Sequence, residues 1–237
     1  MKNENVLYSV IEKEYPEVDY GEGMYIYDTK GKKYLDCAAG IAVVNIGHGV
    51  KEITDRMASQ AQKVCFVYGG TFTSAPRRRL AEKIIAMAPK NMDKVFLCSG
   101  GSEAMESLIK IARQYQIEAG HDKKHKIISR WQSYHGNTIG TLAIGGRPSW
   151  REKYEEYFPK NISHISPCNC YRCPYGLKYG SCSIQCADEL ERVIKYEGAD
   201  TVAAFIMEPI TGTTSAAIVP PKEYMKKIKE ICEKYQV

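Results

Sequence analysis

The sequence predicts an α/β fold with a largely parallel β-sheet, because strand and helix patterns alternate along the second half of the chain. Lys126–Arg130 and Val202–Met207 are short runs rich in β-branched and apolar residues, as in buried strands. Asp188–Tyr196 and Pro221–Tyr235 instead repeat apolar residues at helical spacing. Strands separated by helices in this way favour a layered structure with parallel pairing.

A glycine-rich turn between a predicted strand and a predicted helix is the most informative local pattern. Val95–Cys98 predicts the strand, and Gly100 and Gly101 at the turn let the main chain approach an anion closely. Ser102 adds a hydroxyl donor at a helix N-terminus, whose free N–H groups and dipole favour phosphate. The alternative is an ordinary strand–helix link in which Ser102 is only an N-cap. The predicted apolar face of the helix comprises Ala104, Leu108, Ile111, Ala112 and Tyr115.

Composition and charge exclude several classes of protein. The 237 residues are 44% hydrophobic and 26% charged, with a net charge of only +5, as in an ordinary globular protein. The densest basic runs lie on polar faces of predicted helices, so we expect no nucleic-acid partner. No apolar run is long enough to span a bilayer, and the polar N-terminus lacks a signal-peptide pattern. We therefore expect a cytoplasmic protein with no membrane partner.

A cluster of cysteines leaves two interpretations open. The C-x2-C and C-x3-C spacings resemble those of zinc or iron–sulfur ligands. The alternative is a short reduced loop packed with Tyr171, Tyr175 and Tyr179. We favour the reduced loop and expect no metal, and the missing secretion signal disfavours disulfides. The clustered residues are Cys168, Cys170, Cys173, Cys182 and Cys186.

Seven motifs in register carry a resemblance to a known family. They are Gly23–Asp28, Gly31–Asp36, Gly40–Val43, Asn45–His48, Ser99–Ala104, Tyr134–Asn137 and Ala204–Pro209. In this order and spacing they resemble the class III (ω-amino acid type) aminotransferases, which use pyridoxal 5′-phosphate (PLP). The resemblance extends from about Tyr20 to the last residue.

The resemblance implies a fold and a division into domains. The fold is the PLP-dependent transferase fold type I (aspartate aminotransferase-like), with a mostly parallel sheet that is incomplete at the C-terminus. Residues 1–45, with a hairpin formed by Met24–Asp28 and Lys33–Asp36, would be the N-terminal part of a small domain. Residues 46–237 would form an incomplete large PLP-binding domain.

PLP needs a phosphate cup, a surface against its ring and a charged partner for its ring nitrogen. Gly101 and Ser102 are the candidate cup. Tyr134 follows the strand Lys126–Arg130, at the end of a parallel strand where ligands bind, and the resemblance implies that it stacks on the ring, with His135 beside it. The alternative is that Tyr134 is a core aromatic and His135 a surface residue.

Glu208 is the candidate catalytic residue. It ends the apolar strand Val202–Met207, where a carboxylate has to be paired or face a cavity. In similar enzymes this glutamate lies beside cofactor and substrate, where it can pair with a gating arginine, whereas the alternative is a capping or surface glutamate. Ile41, Tyr68 and Arg147 are further candidates on the substrate side or at a subunit interface.

Two residues that the family chemistry needs are expected beyond Val237: the aspartate that holds the pyridinium nitrogen and the Schiff-base lysine. We therefore expect the 237-residue chain to be inactive alone. A truncated gene, one half of a split gene or an expression fragment are all compatible with this pattern. The resemblance implies a homodimer, and a C-terminal fragment could be a further partner.

The function implied is transfer of an amino group from an ω-amino acid, amine or ornithine-like donor to a 2-oxo acid. One alternative is a PLP-dependent racemase or decarboxylase of the same fold. A second is a non-catalytic remnant that still binds PLP or phosphate.

Overall fold

The computed structural model describes residues 5–237, and the backbone forms two compact units that meet in sequence between Val95 and Phe96. The first four residues of the predicted small domain lie outside the described part. The predicted domain boundary at residue 45 stays a prediction. Each described helix is too short or too polar to cross a membrane.

The first unit begins with an antiparallel sheet in the order β1-β2-β3. Its strands are β1 (Val18–Glu22), β2 (Tyr25–Asp28) and β3 (Lys33–Leu35). The β2–β3 turn is closed by Asp28, whose carboxylate accepts hydrogen bonds from the Lys30 and Lys32 amides, both at 2.9 Å, and from the Tyr34 hydroxyl at 2.8 Å. The predicted hairpin is therefore confirmed.

Three helices complete the first unit: α1 (Ala39–Ala42), α2 (Lys51–Lys63) and α3 (Ala75–Met87). The short α1 contains left-handed backbone at Gly40 and Ile41, with φ of 57° and 63°. None of these three helices contains a buried residue, and every buried hydrophobic residue of the described chain belongs to the second unit.

The second unit is built on a parallel sheet in the order β5-β4-β6, which confirms the predicted pairing. Its strands are β4 (Lys126–Arg130), β5 (Ile162–Ile165) and β6 (Val202–Phe205). Its helices are α4 (Gly101–Glu118), α5 (Ile139–Ile144), α6 (Pro148–Arg151), α7 (Gln185–Glu197) and α8 (Lys222–Tyr235), with a 3-10 turn over Glu155–Tyr157.

Neighbouring residues of β4 point to opposite faces of the sheet, so both faces present apolar side chains and helices pack on each of them. Ile128 packs on one side in a cluster with residues of α7 and α8, among them Leu190 and Ile228. Ile127 packs on the other side with Ile144 of α5, where residues of α4 also contribute. The layered α/β arrangement predicted from the alternating pattern is thus present.

Two local predictions are wrong. Val95–Cys98 is not a strand, because a strand requires a pairing partner and no segment within residues 5–237 pairs with it. The predicted apolar face of α4 does not pack: Leu108, Ile111 and Tyr115 are exposed, and Met105 and Ile109 face the core instead. Helical spacing identified the helix, but the packing partners of each face are set by tertiary structure.

Candidate functional site

The carboxyl ends of β4 and β6 lie at the same edge of the parallel sheet, and Glu208 connects the loops that follow them. Its Oε2 accepts a hydrogen bond from the backbone N–H of Tyr134 at 3.1 Å. Its Oε1 accepts one from the N–H of Gly212, also at 3.1 Å. The side chain is half-buried, so the carboxylate is a partner of two loop backbones rather than a freely solvated surface group.

Arg130, the last residue of β4, is a buried cation that sequence reasoning missed. It is 1% exposed, and its Nη2 donates a hydrogen bond to the backbone oxygen of Glu208. Within residues 5–237 its guanidinium forms no ion pair, and it lies 5.9 Å from the centre of the Tyr224 ring. A charged residue at the end of an apolar strand was the available signal, because a buried charge needs a structural or functional partner.

The N-terminus of α4 approaches the loop after β4 through Ser102. The N-cap of this helix is Gly100, which has no side chain to cap it. The alternative in which Ser102 is the N-cap is therefore wrong. Ser102 Oγ accepts a hydrogen bond from the Asn137 N–H at 2.9 Å. A Cβ added at Gly101 would meet no atom within 4 Å. The first turn of α4 is therefore open on this side and is held beside the loop that contains Tyr134.

Gly136 shows why the loop can approach α4 so closely. Its φ is +136°, and a Cβ there would lie 2.7 Å from Ser102 Oγ and 2.6 Å from Thr141 Oγ1. Any other residue would combine backbone strain with a steric clash. A second link between this loop and α4 is the hydrogen bond that the Thr138 hydroxyl donates to Glu106 Oε1. The same hydroxyl caps the N-terminus of α5.

The alternative considered from sequence, in which Tyr134 is a core aromatic and His135 a surface residue, is wrong, because the structure buries His135 and exposes Tyr134. His135 is only 7% exposed, and its Nε2 has no hydrogen-bond partner among the described residues. Burial lowers the pKa of His135 to about 4, with smaller contributions from the positive charge of Arg130 and from His164 when that ring is protonated. The imidazole is thus neutral at pH 7. Tyr134 is 39% exposed and can offer a ring face to a ligand.

An aromatic and cationic group adjoins Tyr134. The Trp150 ring meets the Tyr134 ring edge-on with centroids 5.5 Å apart, and the Arg147 guanidinium lies 4.2 Å from the Trp150 ring centre. Trp150 was not identified from sequence because its contact with Tyr134 is tertiary. Arg147 is therefore near the candidate site, whereas Ile41 and Tyr68 belong to the first unit and are exposed. The substrate-side roles of these three stay predictions.

The clustered cysteines lie elsewhere in the second unit, around a cavity of about 20 Å³. Tyr171 is 91% exposed and does not pack in the way the reduced-loop interpretation expected, whereas the Tyr175 hydroxyl donates to Glu189 at 2.6 Å. Among residues 5–237, no three His, Cys, Asp or Glu side chains are arranged to hold a metal ion.

Comparison with known proteins gives a consistent family. The family model for class III aminotransferases matches residues 10–237. An uncharacterized aminotransferase of Bacillus subtilis, YodT, is 37% identical over 94% of this chain and 50% of its own length. The taurine–pyruvate aminotransferase of Bilophila wadsworthia is 39% identical over 92% of this chain and 47% of its own length.

Solved structures agree with the sequence relatives. An amine transaminase from an uncultivated Pseudomonas species, in its PLP-bound form, has a TM-score of 0.90 at 28% identity and covers 99% of this chain and 53% of its own. The ω-transaminase of Pseudomonas jessenii in complex with PMP has a TM-score of 0.88 at 33% identity, covering 94% and 49%. The fold expectation, PLP-dependent transferase fold type I, is confirmed. The chain spans about half the length of the curated relatives it matches.

Proposed function

Because this chain belongs to the class III aminotransferases, we propose that it forms the cofactor-holding part of a PLP-dependent transaminase. The whole protein would transfer an amino group from an ω-amino acid, amine or ornithine-like donor to a 2-oxo acid. The observation that carries the proposal is the contact between Ser102, at the open N-terminus of α4, and the loop that bears Tyr134 and meets Glu208. The candidate phosphate cup, the Tyr134 ring and the Glu208 carboxylate would thereby lie at one edge of the sheet.

Gly101 and Ser102 would hold the phosphate. The free N–H groups in the first turn of an 18-residue helix favour an anion. Ser102 uses one acceptor lone pair for Asn137, so its O–H can still donate to a phosphate oxygen. The space beside Gly101 lets a bulky anion come close to the main chain.

Tyr134 and His135 would hold the ring side of the cofactor. Tyr134 offers an aromatic face that excludes water from one side of a planar ligand. The unpartnered Nε2 of His135 fits a ligand polar group, because buried polar atoms are normally hydrogen-bonded. When bound, PLP supplies the electron-accepting ring on which amino-group transfer depends.

Glu208 would fix the relative position of these groups. The hydrogen bonds that its carboxylate accepts from the Tyr134 and Gly212 N–H groups would keep these two loops together. Arg130 would fix the Glu208 backbone through the hydrogen bond to its carbonyl oxygen. The remaining lone pairs and the charge of the Glu208 carboxylate would pair with a cation, such as the gating arginine of the enzyme that the resemblance implies.

Substrate class and assembly are proposed from the relatives. Similar proteins are named for taurine, putrescine and, provisionally, γ-aminobutyrate, all of which carry an amino group at the end of a chain. This supports an ω-amino donor with pyruvate or another 2-oxo acid as acceptor. The same proposal includes a homodimer and a cytoplasmic location. It also includes a C-terminal partner that brings the lysine and the aspartate for the ring nitrogen.

PLP titration of the 237-residue chain, followed by absorbance, tests the proposed cup. A charge-assisted hydrogen bond is worth about 1.5–3 kcal/mol, so Ser102→Ala should weaken PLP binding roughly tenfold to a hundredfold. Ser107→Ala, on the same helix with similar burial, is the matched control and should bind PLP like the wild type. Equal affinity of the Ser102→Ala and wild-type chains would locate the phosphate elsewhere.

Turnover tests the proposed dependence on a lysine outside this chain. The purified chain, given PLP, pyruvate and an ω-amino donor such as putrescine, should form no alanine. Robust alanine formation by these 237 residues alone would show that they contain all the groups that the reaction needs.

A further inference from the structure

An arginine without an acidic partner lies next to the candidate ring site. The Arg147 guanidinium is 4.2 Å from the centre of the Trp150 ring, and that ring meets Tyr134 edge-on at 5.5 Å. Among the described residues, the arginines that form ion pairs are Arg151 and Arg192. No described group accepts a hydrogen bond from the Arg147 side chain, since the arginine donors lie elsewhere. This half-buried cation is therefore available to a ligand.

Backbone hydrogen bonds hold the segment of Arg147 against the loop that follows β4. The N–H of Gln132 donates to the Gly146 oxygen at 2.7 Å, and the N–H of Gly146 donates to the Ser133 oxygen at 2.9 Å. A Cβ at Gly146 would overlap the backbone at the end of β4, so only glycine permits this approach. Arg147 comes directly after this contact, and Tyr134 directly after Ser133. Their proximity is therefore set by the backbone.

The start of α6 brings Arg147 and Trp150 together. Arg147 precedes Pro148 and has extended backbone, with φ of −98° and ψ of 106°, as residues before proline prefer. The N–H of Trp150 donates to the Arg147 oxygen at 3.1 Å and closes one turn. The N–H donors of a guanidinium lie in its own plane, so a ring against one face leaves them free for an anion.

We propose that Arg147, supported by Trp150, binds the acid group at the far end of the amino donor. In the proposed function, on which this inference rests, the reacting amine of that donor lies beside Tyr134. A carboxylate or sulfonate accepts charge-assisted hydrogen bonds from a guanidinium. The second ammonium of a diamine would instead meet a like charge, which disfavours it. Donors that combine a terminal amine with a distant acid group are therefore preferred over diamines.

The charge of Arg147 would thus decide between two classes of donor. Similar proteins are named for taurine and, provisionally, for γ-aminobutyrate, which have an acid group at the end opposite to the amine. Another is named for putrescine, which has a second amine there. Membership of the family alone is compatible with both classes.

Calorimetric titration of the 237-residue chain with three stable conjugates tests the preference. In each conjugate, PLP is joined by reduction to the nitrogen of a four-carbon amine: γ-aminobutyrate, butylamine or putrescine. All three share the phosphate and the ring, and they differ at the far end, which is a carboxylate, a methyl group or an ammonium. We expect the carboxylate conjugate to bind at least about tenfold more tightly than the butyl conjugate. The putrescine conjugate should bind most weakly.

Variants assign the preference to the guanidinium. Arg147→Gln should remove the preference for the carboxylate conjugate over the butyl conjugate. Arg147→Lys keeps the charge without the planar fork and should retain part of the preference. Arg172→Gln is the matched control, because Arg172 is an exposed arginine whose guanidinium lies 5.9 Å from the Tyr171 ring centre, in the cysteine-containing segment. It should keep the wild-type preference.

Three results would overturn the inference. Equal binding of the carboxylate and butyl conjugates by the wild-type chain would refute the role of Arg147 and leave the proposed cofactor site intact. Equal weakening of all three conjugates by Arg147→Gln would show that this residue holds the shared phosphate instead. Binding of none of the conjugates would refute the proposed function and the acid subsite with it. The wild-type comparison needs no variant, so a variant that fails to fold does not obscure the answer.

Discussion

Gln116 of α4 joins three elements of the second unit, and its replacement by methionine should destabilise the fold strongly. The side chain is 2% exposed. Its Nε2 donates to the Ala203 oxygen of β6 at 3.0 Å and to the Gln236 oxygen after α8 at 2.9 Å, and its Oε1 pairs with His121 Nδ1 at 2.8 Å. Methionine has similar length but makes none of these hydrogen bonds.

The size of the effect follows from which partners have substitutes. The Gln236 oxygen keeps a hydrogen bond from Lys124 Nζ at 3.0 Å, and the half-buried His121 can turn to water. The buried Ala203 oxygen loses this donor. Lost hydrogen bonds cost about 1 kcal/mol each and an unpaired buried carbonyl about 1–2 kcal/mol more, so the free energy of unfolding should fall by about 3 kcal/mol.

Urea denaturation followed by circular dichroism measures this change. With a denaturant slope of about 2 kcal/mol per molar, Gln116→Met should lower the midpoint by about 1.5 M. Gln114→Met, an exposed position on the same helix, should leave the midpoint almost unchanged. If both variants shifted the midpoint equally, the loss would come from helix propensity, and the hydrogen-bond argument would be refuted.

Two further predictions concern the candidate site. Burial lowers the pKa of both His135 and His164 to about 4, so the unfolded chain binds protons that the folded chain does not as the pH falls from about 6.5 toward 4. Stability should therefore decrease on acidification through that window, by at most about 2.7 kcal/mol per pH unit for two protons. Urea midpoints at pH 7, 6 and 5 should show this decline in stability. His164→Gln should roughly halve the dependence of the midpoint on pH, and the exposed control His125→Gln should leave that dependence unchanged. A midpoint that does not change with pH would contradict the prediction. Tyr134→Ala should weaken PLP retention in an absorbance titration while Tyr134→Phe should be mild, since equal damage from both would implicate the hydroxyl rather than the ring face.

Sequence alone predicted the elements whose signals are local. The helical spacing in α7 and α8 and the apolar runs of β4 and β6 sufficed, because each pattern is complete within its own segment. It also placed Ser102 on the first turn of a helix.

What the sequence could not predict depends on distant partners. Val95–Cys98 has strand composition without a pairing partner in the described chain, and the contact between Tyr134 and Trp150 exists only after the backbone folds. Arg130 is similar, because nothing in its neighbours along the chain indicates that its partner is the backbone of Glu208. Such contacts are set by tertiary geometry, which periodicity does not encode.

The chain has only two tryptophans, and both adjoin the groups discussed above. Trp131 stacks on His164 with ring centres 4.4 Å apart, and Trp150 meets Tyr134. Light emitted by the indoles is therefore an optical signal from this one region, with no background from other tryptophans. A protonated imidazole quenches a stacked indole, so Trp131 emission should follow the charge of His164. Trp150 should dim by energy transfer when a ligand that absorbs in the near ultraviolet settles against Tyr134. Single Trp131→Phe and Trp150→Phe chains would separate the two signals and give a label-free view of the candidate site in solution.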